Sequence, residues 1–185
     1  MRSLERAFRR AGLLLGMSEG YRPKPRMNFP LALAVGMEGQ REVMELELQE
    51  TPSTAELLAR LQPQAPVGLR FESLEVLTEG SRKARAVSAS YRMAIPQSRM
   101  PDLETKIQRL LAASTLSVPR PNRSAPVDVR PALVALALRD DVLEMRLKTD
   151  PGGGAGPRDV LAALELDDLE RHGTVLTRSD VEIDP

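Results

Sequence analysis

From Ser18 to Asn28 the chain reads SEGYRPKPRMN, and few other stretches restrict it so much. Pro23 and Pro25 fix their own φ and push Arg22 and Lys24 toward extended geometry. The stretch is therefore a stiff loop. Before it, Leu4, Ala7, Phe8, Ala11 and Leu14 or Leu15 recur at helical spacing, with Arg2, Arg6, Arg9 and Arg10 largely on the opposite side. Gly12 lies inside this pattern, and Gly16 is the expected stop. After the loop, Phe29 to Val35 reads as a buried strand. Glu42 to Gln49 alternates as a half-buried one, with a hairpin turn at Glu38 to Gln40 between them.

The order continues as follows. Ser53 or Thr54 caps a helix with Ala55, Leu57, Leu58 and Leu61 on its apolar side, ended by Pro63. Leu69 to Leu77 reads as a strand, and Glu79 to Lys83 as a linker. Ala84 to Ile95 is strand-like. Asp102 is placed to cap a helix carrying Leu103, Ile107, Leu110 and Leu111. Leu133 to Leu138 and Val142 to Leu147 form a hairpin around Asp140 and Asp141. Pro157 begins a helix with Val160, Leu161 and Leu164, and Thr174 to Thr177 is a last strand. The second half follows the βαββαβ order of a ferredoxin-like unit. The first half follows the same order without its first strand. The expected fold class is α+β: two tandem ferredoxin-like units, the first at residues 1–80 and lacking its first strand, the second at 84–185.

Composition narrows the chemistry. Cys is absent, which excludes disulfides and thiol catalysis, and one His leaves little for a metal site. Aromatics are 3%, so Leu, Val, Ala and Met must fill the core. No apolar run reaches membrane-spanning length, and no signal-like leader is present, which leads to the expectation of a cytoplasmic protein. Net charge is zero but uneven: residues 1–30 hold seven basic against two acidic residues, and 150–185 hold three against nine. Such asymmetry concerns partners more than fold.

The basic head is the candidate binding surface: Arg6, Arg9 and Arg10 on the helix, with Ser18, Gly20, Tyr21, Arg22, Lys24 and Arg26 in the loop. Tyr21 can stack on a base while the cations meet phosphates. The bland alternative is a solvated helix face whose Arg stems cover apolar surface. Arg130 is a further candidate, although a salt bridge with Asp128 is the simpler expectation. The glycines at 152, 153, 154 and 156 lack the Lys-Ser/Thr of a phosphate loop. The turns at Asp140-Asp141 and Asp167-Asp168 suit local backbone bonding rather than a metal. No catalytic residue, cofactor or metal is assigned.

The segments MRSLERAFRRAGL, SEGYRPKP and Asn28-Phe29, with Asp128-Val129-Arg130-Pro131 and Arg171-His172-Gly173, resemble the radical SAM-associated (radical SAM-linked) protein family. That family carries ERALRRAGL and then SQGFNPHP. Here Glu19, Arg22 and Lys24 stand where Gln, Asn and His are typical, which makes this loop more basic. The resemblance implies an accessory partner of a cobalamin-binding radical SAM enzyme. The chain lacks the CxxxCxxC of the enzyme itself. Family members begin with a strand and a Ser-His-Leu-Asp segment, from which Met1 is expected to be an internal methionine. Three functions follow as expectations: a non-catalytic accessory protein that binds the radical SAM enzyme or its substrate through the head, an independent RNA-binding protein, and, by fold analogy only, an RNA-processing enzyme using Tyr21, Lys24 and Arg26.

Overall fold

A computed structural model describes residues 2–78, 80–120, 125–150 and 154–184. In chain order its elements are α1 (Arg2–Arg10), β1 (Met27–Asn28), β2 (Met37–Gly39), β3 (Glu45–Leu46), α2 (Thr54–Leu61), β4 (Arg85–Ala94), α3 (Leu103–Ala112), β5 (Ser117–Val118), β6 (Val127–Asp128), β7 (Leu133–Arg139), β8 (Val142–Lys148), α4 (Pro157–Ala163) and β9 (Leu176–Asp184). The architecture is mixed α+β with mostly antiparallel pairing. Two compact units divide the chain: residues 2–29 with Met44–Lys83, and Pro30–Val43 with Ala84–Asp184.

In the first unit, α1 buries Ala7 and Phe8 and exposes its arginines. It ends earlier than the apolar spacing predicts. Gly12 takes a left-handed conformation at φ 68°. Its N–H then donates to the Arg9 carbonyl, and the Leu13 N–H donates to the Phe8 carbonyl. These two bonds satisfy the carbonyls of the last turn and close the helix. Leu13 and Leu15 therefore reach the core from an extended segment, while Leu14 between them is 59% exposed. Phe8, Leu13, Leu15, Leu57 and Leu61 form this core, with the Phe8 and Phe71 rings 6.3 Å apart.

The strands of this unit are short. β1 pairs antiparallel with β3 over two residues, and single bridges join Leu15 to Leu48 and Met17 to Pro25. The long strands expected at Phe29–Val35 and Leu69–Leu77 do not form. Pro30 removes one ladder donor from the first of these. Along the second, Leu69, Val76 and Leu77 stay exposed rather than facing a partner strand. Only Glu45 and Leu46 of the expected Glu42–Gln49 strand are paired as a named strand.

The second unit has a five-stranded sheet in the order β2-β9-β4-β8-β7. Its four longer strands pair antiparallel, in the chain sequence β4-α3-β7-β8-α4-β9. Period-two alternation puts Ala89, Tyr91 and Met93 of β4 and Leu143, Met145 and Leu147 of β8 on one face. Leu103, Ile107 and Leu110 of α3 and Val160 and Leu161 of α4 cover that face. Pro157 stands at the start of α4, as expected, and the Asp159 carboxylate accepts from the Gly156 N–H at 2.7 Å. Asp102 precedes α3 in a left-handed conformation, and its side chain caps nothing, contrary to the sequence reading.

β9 runs to Asp184, well past the expected end at Thr177. The run Thr177 to Asp180 breaks the apolar alternation, and a register shift between Ser90 and Tyr91 on the paired strand accommodates it. The predicted hairpin turn at Glu38 to Gln40 is instead strand β2, lying parallel to β9. Arg178, 2% exposed, holds the segment leading into β2: it donates to the Leu31 carbonyl at 2.8 Å, the Ala32 carbonyl at 3.2 Å and both carboxylate oxygens of Glu42.

Candidate functional site

The loop of the head is a hairpin in the first unit, closed at its base by three hydrogen bonds and tied by a fourth to Glu47. Ser18 N donates to the Lys24 carbonyl at 2.8 Å, and Lys24 N returns a bond to Ser18 Oγ at 3.0 Å. Below that rung, Arg26 N donates to the Gly16 carbonyl, and Gly16 N to the Glu47 carbonyl, each at 2.8 Å. Pro23 and Pro25 have no N–H to satisfy, so they fit a hairpin whose rungs come from Ser18, Lys24 and Arg26. Above the last rung, Glu19 to Pro23 project outward. Tyr21 is 97% exposed at the tip, with Arg22 and Lys24 exposed beside it. An aromatic ring left almost wholly in water by a pinned loop is unusual, because apolar burial favours folding such a ring back.

The candidate residues divide by what their side chains already do. Arg26 is engaged: its Nη1 donates to Glu47 Oε1 at 3.2 Å and Oε2 at 3.3 Å. Arg10 is engaged as well, with Nε on Gln64 Oε1 at 3.0 Å and Nη2 on the Gln64 carbonyl at 2.9 Å. Ser18 closes the loop, and Gly20 turns it at φ 111°. Arg6, Arg9, Arg22 and Lys24 are exposed and make no ion pair among the described residues. These four cations, with Arg2 and the Tyr21 ring, are what the head presents outward.

Arg130 belongs to the second unit. Its expected salt bridge with Asp128 does not form. Asp128 Oδ1 instead accepts from the backbone N–H of Leu116 at 2.8 Å and of Arg130 at 3.0 Å. The two residues are two apart on a turning segment, so the carboxylate reaches the amide before the guanidinium. Gly152 and Gly153 lie outside the described residues. At the start of α4 the Asp159 carboxylate accepts from the Gly156 N–H, and Arg120 neutralises that carboxylate at 2.6 Å. Arg158 donates to Glu170 and to the Val35 carbonyl. His172 is exposed beside Asp168. Among the described residues no group of three His, Cys, Asp or Glu could hold a metal, and no helix is long and apolar enough to cross a membrane.

The positioning residues were not legible as such. Arg60 of α2 donates to the carbonyls of Ala11 at 3.1 Å and Gly12 at 2.6 Å, so it covers the C-terminal end of α1. The same guanidinium makes a two-point pair with Glu50 at 3.0 and 3.1 Å, and Glu50 accepts from the Leu14 N–H. Hydrogen bonding from Arg60, then from the Leu14 amide, holds the Glu50 carboxyl below its ordinary value. In sequence Glu50 and Arg60 are ordinary surface charges, and only their shared position marks them.

The fold and head together define an α+β protein with a basic, aromatic-tipped loop. The family described as an uncharacterized protein conserved in bacteria (DUF2344) matches residues 1–157, and the chain belongs to that family. Comparison with curated proteins finds no match.

Proposed function

We propose that this is a non-catalytic, cytoplasmic accessory protein whose basic head holds a polyanionic partner, single-stranded RNA being the best fit. The observation that carries this reading is the pinned hairpin with Tyr21 and unpaired cations at its tip. Stacking on an aromatic ring contributes about 1–3 kcal/mol per base, and the ring is presented already ordered. Arg22 and Lys24 follow it closely in the same exposed loop. The motif resemblance supplies the suggested context, in which a radical SAM enzyme performs the chemistry and this chain presents the substrate or docks the enzyme. An independent RNA-binding protein is the alternative. As to architecture, we read the second unit as ferredoxin-like, supported by its βαββαβ order and antiparallel long strands. We retain the first unit as a relative of it without its first strand, supported by its element order alone.

Affinity purification from the native cells, with and without ribonuclease, tests the context. A radical SAM enzyme retained after ribonuclease supports the accessory role. RNA-associated proteins lost on ribonuclease treatment support the independent one. Binding of a labelled single-stranded oligonucleotide tests the site. Tyr21→Ala should weaken it by about 1–3 kcal/mol. Arg22→Ala with Lys24→Ala should lower the salt dependence by about 1.4 in log–log slope, from two fewer phosphate contacts on a single strand. Unchanged association with both partners after these substitutions would remove the head from the function.

A further inference from the structure

A shallow hollow of about 480 Å³ lies in the second unit, lined by Ser114, Arg130, Pro131, Leu133, Val134 and Lys148 among others. It contains two cations and no acid. The Arg130 guanidinium is held in place by neutral groups: Nε donates to the Ala113 carbonyl at 3.1 Å and Nη1 to the Leu133 carbonyl at 3.3 Å. Lys148 has its backbone N–H fixed to the Ala132 carbonyl at 2.8 Å, while its ammonium makes no ion pair among the described residues. The other well-held guanidiniums of this unit, those of Arg99, Arg120, Arg146, Arg158 and Arg178, each meet a carboxylate. Carbonyl acceptors orient a guanidinium without cancelling its charge, and the nearby Asp128 carboxylate is taken up by the Leu116 and Arg130 backbone amides rather than by this guanidinium.

We propose that the hollow binds a phosphate group, most suitably a phosphomonoester dianion. The free Nη2 edge of Arg130 and the Lys148 ammonium would take the oxygens, Ser114 adds a hydroxyl donor, and Pro131, Leu133 and Val134 form an apolar wall for the organic part. A phosphomonoester carries nearly two charges at neutral pH and matches a pair of cations better than a carboxylate does. The C-terminal end of α3 would repel an anion through its carbonyls. Arg130 already covers that of Ala113, the residue that ends the helix. The hollow belongs to the second unit, and its proposed role does not depend on the function proposed for the head.

The probe is inorganic phosphate titrated into the full chain, with amide chemical shifts as the readout, and acetate as the control anion. Saturable shifts at Ser114, Val134 and Lys148 are expected for phosphate. Lys148→Gln makes the clean test, since its ammonium holds nothing in the fold; it should weaken binding about tenfold without lowering the unfolding temperature. Arg130→Lys keeps the charge and should also weaken binding. Substituting Tyr21, Arg22 and Lys24 together should leave it unchanged. A glycerol phosphate arm and an oligonucleotide arm separate a free phosphomonoester from a nucleic-acid backbone; saturable, Lys148-dependent binding of either supports a phosphate site. Absence of saturable shifts with every phosphate probe, equal response to acetate, or binding indifferent to Lys148→Gln would overturn the proposal.

Discussion

The second unit is held by long backbone ladders, and the first by side chains reaching backbone. In the second, β4 lies between β8 and β9 and carries a continuous apolar face under two helices. In the first, the named strands are two residues long, Arg60 and Arg10 tie segments that no ladder joins, and Arg26 reinforces the short β1–β3 pairing through Glu47. Hydrogen bonds of that kind depend on charge and on one rotamer each, whereas a ladder averages over many residues. The lesson is a division of labour within a basic head: some cations are structural joints, and those left over point outward around Tyr21. Counting basic residues would treat them all alike.

That contrast can be broken by core deletions. Phe8→Ala should cost about 3–5 kcal/mol. Its loss of amide-exchange protection should fall in residues 2–29 and 44–83, with β4 and β8 still protected. Equal loss in both units would show that they do not open separately. Arg178→Ala should cost nearly as much, about 3–5 kcal/mol, because it leaves the Glu42 carboxylate and the Leu31 and Ala32 carbonyls without their donor. Here the protection lost should be that of residues 30–43, measurable by the same exchange experiment.

The pH dependence should differ between the units as well. Glu50 in the first unit has its carboxyl lowered below 4.5, chiefly by the Arg60 hydrogen bond. The folded state then binds fewer protons than the unfolded one in that range, so the contribution is complete above 4.5 and lost as the pH falls through the lowered value. Arg60→Gln should remove this acid limb from a urea-denaturation series in the first unit. Tyr91 in the second unit has its phenol pushed above 10.0, mainly by burial, with the Arg178 charge opposing. Its contribution is complete below 10.0 and lost as the pH rises from there toward the raised value. Alkaline titration should therefore loosen the β4 neighbourhood.

The smallest expected effect on stability is at the head. Tyr21→Ala with Arg22→Ala and Lys24→Ala should shift stability by no more than about 0.5 kcal/mol, as for surface changes that remove no fold contact. The unfolding temperature checks this. A large loss would mean that the loop tip belongs to the structural joints after all.

Much of the second unit was legible because its signals are local. The alternation in β4 and β8, the Asp140 turn with positive φ and the proline at the start of α4 each act over a few residues. The first unit was less legible. Helical spacing carried α1 on to Leu14, but a single glycine conformation stopped it at Arg10. The apolar run 29–35 suited a strand, yet it straddles the division of the chain, with Phe29 in the first unit and residues 30–35 in the second. In the head, the expectation of a stiff loop followed from the prolines, while the exposure of the Tyr21 ring and the pairing of Arg10 and Arg26 with Gln64 and Glu47 required the tertiary structure.

The sequence by itself determined which segments could be helix, strand or stiff loop, and that positive charge gathers around Tyr21. Those are properties of near neighbours along the chain, set by φ limits and apolar period. Only the tertiary structure decided that residues 37–39 extend the sheet beside β9, that Arg178 is buried, and which arginines are already spoken for. Each of these depends on groups far apart in the chain meeting, and for Arg178 a charge taken out of water must find partners that local pattern does not name.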